Sequence, residues 1–182
     1  MIWVTRNYVH VDRVACPWLI KNFIDLHAQF IFLPQNEIAD FVEKTGAIPF
    51  DVKLPNADLN HYEENGVKYC TFDAIIKIYN LEEDEALQRM RKIVRAADTD
   101  NIEMEPLAIA LEAIASGAPL LVESDHDALN LEFPFYDVLY TYLQREIIFE
   151  KYKDELEKIP SRGERTLYIK TKINQLNSRK LI

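Results

Sequence analysis

Trp3-Val4-Thr5-Arg6, followed by His10-Val11-Asp12-Arg13-Val14-Ala15-Cys16-Pro17-Trp18-Leu19-Ile20, is the stretch on which the fold turns. The first four residues read as a short strand, and the loop after them delivers an Asp-Arg pair and a cysteine to a helix. Proline has no N–H and a fixed φ, which suits a first helical position, so Pro17 marks the expected helix start with Cys16 as its N-cap. There the Cys16 sulfur would sit at the positive end of the helix dipole, a setting that favours a thiolate and makes Cys16 a candidate redox residue. An alternative start at Asp12 puts proline one turn inside the helix. Beyond Pro17, the apolar Trp18, Leu19, Ile20, Phe23 and Ile24 form one wide face, with Lys21, Asn22 and Asp25 opposite. That helix belongs to the core.

Downstream, Gln29 to Leu33 reads as a buried strand ended by Pro34. A short helix follows over 37–44 with Asn36 as N-cap, and Ile48 to Val52 suits another short strand. The polar stretch Lys53 to Val67 reads as irregular, and Thr71 caps a helix over 72–80. Helices are expected over 83–97, 106–116 and from about Pro134 to Leu156, with a strand over Thr166 to Lys170. The fold class is α+β: a mostly helical domain, 1–159, with a small sheet from the N-terminal strands, then a basic extension, 160–182.

The 182 residues carry 48% apolar and 28% charged side chains, which suits one globular domain. No apolar run approaches 18 residues and no signal-peptide pattern opens the chain, so no membrane role and a cytoplasmic location are expected. Two cysteines there are expected as thiols. The net charge of −9 divides unevenly. From Pro160 onward six cations face Glu164 alone, a balance of +5, which leaves −14 on the first 159 residues. An acidic body repels phosphate backbones, so nucleic acid is not an expected partner. The basic extension is expected to dock on the acidic body or on a second subunit, making a homodimer.

No Walker loop, Gly-x-Gly-x-x-Gly, Gly-x-Ser-x-Gly or Cys-x-x-Cys occurs. Those absences argue against nucleotide-phosphate cradles, serine hydrolase chemistry and zinc fingers. The polar candidates are Asp98 and Asp100, two residues apart behind Arg95, and His61 beside Glu63 and Glu64. Two carboxylates that close need a cation between them, either a divalent metal or an arginine. An imidazole among carboxylates suits a borderline metal such as Mn, Fe or Zn, or acid–base work. Arg6 and Arg13 could grip an oxyanion in bidentate fashion or pair with the aspartates. Asp73 could serve its own helix dipole or the site, and His126 in Ser124-Asp125-His126-Asp127 offers a second setting.

Several of these motifs, in the same order, resemble the C-terminal domain of the chromate resistance protein ChrB family. The opening stretch, Gly46-Ala47-Ile48-Pro49-Phe50-Asp51, His61, Cys70-Thr71-Phe72-Asp73, Ile93 to Asp100 and His126-Asp127 all take part. The resemblance covers roughly residues 1 to 145. It implies a chromate-resistance or stress function, and it raises the weight of the Asp98–Asp100 block and of His61. On this reading Arg13, His61 and Asp98 are the catalytic candidates. Arg6 and Arg13 are the oxyanion-binding ones, and His61, Asp98, Asp100 and Asp73 the metal ligands. The alternative is a non-catalytic chromate or metal sensor acting through a protein partner. Longer family members carry a further N-terminal domain, and a chain opening at the domain motif is not expected to bind DNA itself.

Overall fold

The computed structural model describes residues 1–55, 57–99 and 102–176. Its N-terminal third alternates strand and helix: β1 (Ile2–Arg6), α1 (Val11–Phe23), β2 (Gln29–Leu33), α2 (Gln35–Thr45) and β3 (Ile48–Pro49). The three strands are parallel in the order β2-β1-β3, with Trp3 opposite Phe30 on one side and Ile48 on the other. Parallel strands need crossovers, and helices supply them. The crossovers cover opposite faces. Trp3, Phe30 and Phe50 join α1 in the main core, while Val4, Ala47 and Val52 close over Ile38 of α2.

The chain leaves β1 toward β2 by α1, then returns across β1 to β3. Neighbours reached in opposite directions leave a crevice at the strands' carboxyl ends, here between β1 and β3. Arg6 ends β1, and Asp51 lies two residues beyond β3.

Asn65 and Gly66, both at positive φ, join β4 (Tyr62–Glu64) to β5 (Val67–Tyr69) as an antiparallel hairpin. Asn-Gly is the strongest short hairpin signal, so the stretch read as irregular ends in regular structure. Helices make the remainder: α3 (Thr71–Ile78), α4 (Glu85–Asp98), α5 (Pro106–Gly117), α6 (Asp125–Lys151), α7 (Lys153–Glu157) and α8 (Arg162–Leu176). The result is α+β and mostly helical, with its sheet built from the N-terminal strands. No helix among the described residues is long and apolar enough to cross a membrane.

α1 is the central element. Ten of its thirteen residues are buried, and Trp18 packs against Tyr136 and Tyr140 of α6 while donating from Nε1 to Asp137 at 3.1 Å. α1 begins at Val11, not at Pro17. Pro17 lies inside it, and Cys16 is its sixth residue, fully buried rather than an N-cap. Apolar burial of Val11, Val14 and Ala15 outweighs the backbone bond that proline removes.

Two further boundaries move for stated reasons. α6 starts nine residues before Pro134, because Ser124 Oγ accepts from the Asp127 amide and caps the helix there. Residues 166–170 are helical rather than a strand. Ser161 Oγ accepts from the Glu164 amide to cap α8, and Tyr168 packs edge-on against Tyr152 of α6's C-cap. With no strand there, the described part of the extension, to Leu176, offers no sheet edge for a second subunit.

Candidate functional site

Asp12 lies in the first turn of α1, on the face that carries Ala15, Cys16 and Leu19, and is 2% exposed. Its Oδ2 accepts from the Thr71 amide at the start of α3, at 2.6 Å. Its Oδ1 is buried and has no hydrogen-bond partner among the described residues.

Asp51 is reached from β3 through Phe50, whose amide still bonds to β1 at the Val4 carbonyl. Its φ of 49° turns the chain at the strand's end. Arg6 holds it from two sides, donating from Nε to its carbonyl at 3.0 Å and from Nη2 to Oδ2 at 2.8 Å. Arg13 Nε lies 3.8 Å from the same oxygen. The loop that carries His61 is pinned by Asn60, which accepts from the Val52 amide and donates to the Val52 carbonyl. Asp98 comes from the last turn of α4.

The three carboxylates converge on His61 Nε2, which lies 3.1 Å from Asp98 Oδ2, 3.4 Å from Asp12 Oδ2 and 3.6 Å from Asp51 Oδ1. One ligand atom each from Asp12, Asp51 and His61 falls within a sphere of 4.8 Å separation. Burial, then the nearby Asp98 charge, pushes Asp12 up to about 6. Hydrogen bonds to Asp12 and Asp98 raise His61 to about 10, so without a competing cation the imidazole keeps its proton. The Asp12 side chain is enclosed, whereas His61 is 47% exposed and opens the cluster to a cleft of about 650 Å³ that Arg6, Lys53 and Asn60 also line.

The structure therefore brings together Arg6, Arg13, His61 and Asp98, all singled out in the sequence, and adds Asp12 and Asp51 as cluster members. Asp100 lies outside the described residues. Asp73 does not join them. It is fully buried, accepting from Arg91 Nε at 2.7 Å, from Arg95 Nε and Nη2 at 2.8 Å, and from the Cys70 amide at 3.1 Å. Both oxygens are occupied, so Asp73 is the anchor of a structural ion-pair network and of the α3 cap. Cys16 also lies away from the cluster's ligand atoms, fully buried inside α1, and burial raises its thiol well above an ordinary cysteine. His126 stands elsewhere, its ring edge-on to Phe32 with centroids 5.1 Å apart.

Asp12 carried a readable signal. An acid whose i+3, i+4 and i+7 neighbours are Ala15, Cys16 and Leu19 shares the buried face of its helix. The expected helix start at Pro17 hid it by placing Asp12 in a loop. Asp51 was readable as the residue just beyond a parallel strand's carboxyl end.

A protein named Protein ChrB, from Cupriavidus metallidurans strain CH34, is 29% identical over 140 residues, covering 77% of this chain and 40% of that protein. The chain thus spans about two fifths of the length of that relative. No solved structure matches. Residues 3–143 match the family described as ChrB, C-terminal domain, and with the opening strand, α1, His61 and Asp98 all inside that span, the chain belongs to this family.

Proposed function

We propose that Asp12, Asp51, His61 and Asp98 hold a divalent metal ion, and that the protein serves chromate resistance or a related stress response through it. The observation that carries this reading is the spacing of the cluster. Bonds of about 2.1 Å place neighbouring ligand atoms about 3.0 Å apart in an octahedron and about 3.4 Å apart in a tetrahedron. Ligand atoms of Asp12, Asp51 and His61 all lie within 4.8 Å of one another, close enough for one ion to reach, and Asp98 Oδ2 lies 3.1 Å from the same His61 Nε2. The buried, unpartnered Oδ1 of Asp12 supports it, because a buried carboxylate oxygen left without a donor is costly unless a cation meets it.

Three carboxylates and one imidazole form a hard, oxygen-rich set, which favours Mn²⁺ or Fe²⁺ over Zn²⁺. When bound, such an ion supplies Lewis-acid polarisation of an oxygen ligand. The chain's own residues do the rest. Arg6 fixes the Asp51 carboxylate, and the Thr71 amide fixes that of Asp12. Among the described residues Arg13 has only the long ion pair to Asp51, so its guanidinium keeps donors to offer a small oxyanion beside the cluster.

Elemental analysis of protein purified without chelator tests the reading. The expected result is a bound divalent ion that is lost in Asp12→Asn/Asp98→Asn while the fold persists. Retention of the ion in that double variant would refute the site.

A further inference from the structure

The longest helix is apolar on both sides. The inner face of α6 buries Leu129, Tyr136, Tyr140, Leu143 and Ile147 against the core. Its outer face exposes Leu131, Phe135, Val138 and Tyr142, and Val138 is 69% exposed. These four advance by steps of four, three and four residues, which lines them up as one straight seam along the helix. From Ala128 to Gln144 the sequence holds two charged residues, in a chain that is 28% charged. Neither dilutes the seam, since Glu132 is fully buried and Asp137 accepts from Trp18 Nε1. A solvent-facing helix surface is ordinarily charged, and one apolar all round is ordinarily covered on both sides.

We infer that this seam is the interface of a homodimer, with α6 of one copy packed antiparallel against α6 of the other about a two-fold axis near Val138. Charge at the two ends selects that arrangement. Asp127, exposed, lies one turn before Leu131, and Arg145, also exposed, lies three residues past Tyr142. Antiparallel packing sets each Leu131 against the stem of the other copy's Arg145. That guanidinium, which in one copy pairs with Glu146 and lies over the Phe149 ring, is then one turn from the other copy's Asp127 and within its reach by a rotamer change. Parallel packing would oppose Asp127 to Asp127 and Arg145 to Arg145. The seam is therefore self-complementary only head to tail, which is what an isologous two-fold contact requires.

The size of the seam sets the strength. Its four apolar side chains leave about 350 Å² in water, a patch within the range that marks functional surfaces. With Asn130, Pro134, Thr141 and Arg145 around it, roughly 600 Å² per copy is available, below the ~800 Å² of a standard interface. A contact of that size fits a weak, reversible dimer. The surface is separate from the metal cluster, so this inference stands or falls independently of that reading.

Sedimentation equilibrium of the full chain from roughly 5 to 200 µM tests it. The expected result is a reversible rise from the 21.3 kDa monomer to twice that mass. Val138→Glu, at an exposed position, should leave the thermal melt in place and weaken the dimer at least about tenfold, by burying two like charges at the axis. Arg145→Glu should weaken it less, and Asp127→Arg/Arg145→Glu should recover most of the loss. A wild-type chain that stays monomeric throughout would overturn the proposal, as would a Val138→Glu dimer of unchanged affinity. Failure of the double charge swap to recover would overturn the antiparallel arrangement.

Discussion

Two acid clusters, both meeting at α3, use buried carboxylates in opposite ways. Around Asp73 one acid faces two arginines, Arg91 and Arg95, and also closes the cap of α3 through the Cys70 amide. Around Asp12, three acids face one half-exposed histidine and an Arg6 already committed to Asp51. In the first cluster, charge and hydrogen bonding are satisfied from within the chain. In the second, three carboxylates are balanced only by Arg6, Arg13 and a half-exposed His61 that keeps its proton, with one buried oxygen left over. A carboxylate with no spare capacity is structural, whereas carboxylates gathered on one displaceable imidazole are what the proposed metal site requires.

The largest effect should come from breaking the satisfied cluster. Asp73→Ala strands two arginines at the α3–α4 contact and should cost about 3–5 kcal/mol of stability, read by chemical denaturation. Metal bound per folded molecule should not change. The mirror result is expected for Asp12→Asn. Asparagine keeps an oxygen for the Thr71 amide and removes one of three like charges, so stability should hold or rise slightly. Affinity for Mn²⁺ should nonetheless fall about 100-fold or more, measured by calorimetry. If both variants lose stability alike and metal alike, the contrast between the clusters is wrong.

Glu132 sharpens the comparison as an acid with neither arginine nor cleft. It is fully buried, both its oxygens lack partners among the described residues, and burial raises it to about 7. Its folded-state value exceeds the unfolded one of about 4.5. The stability it allows is therefore present below pH 4.5 and lost as pH rises toward 7. Replacing it with Met should stabilise the protein by about 2 kcal/mol at pH 7 and flatten that part of the pH–stability curve. The smallest effect concerns His61. In the metal-free protein its ring should titrate near 10, followed by NMR. Metal must displace that proton, so apparent affinity should rise about tenfold per pH unit between neutrality and pH 9. A His61 titrating near 6.5 without metal would mean that the carboxylates do not converge on it.

Local signals in the chain account for much of the fold. The apolar runs at β1 and β2, the helical spacing of Leu87, Met90, Ile93 and Val94, and Gly117 at the end of α5 mark elements at nearly their observed bounds. Pro17 and Pro134 misled because proline's local preference was outweighed by tertiary burial in α1 and by the Ser124 cap in α6. Thr166 to Lys170 carries β-prone residues, yet its neighbours are helices and not strands.

The site was half legible. His61 and Asp98 were picked out chiefly through the family resemblance rather than by their local settings, and the structure puts their side chains 3.1 Å apart. Asp12 and Asp51 join them through the β1-β3 crevice, a juxtaposition across 39 residues that no local pattern encodes. Asp73 resembled a ligand until its partners were visible. Arg91 and Arg95, four apart on one face of α4, were the clue.

The most direct test is a crystal structure of the protein grown with Mn²⁺, with the ion located by its anomalous signal. The expected result is one strong peak about 2.0–2.3 Å from His61 Nε2 and from carboxylate oxygens of Asp12, Asp51 and Asp98, including the buried Oδ1 of Asp12. A cluster without a peak in crystals that bind Mn²⁺ elsewhere, or a His61 still hydrogen-bonded to Asp98 at saturating metal, would contradict it.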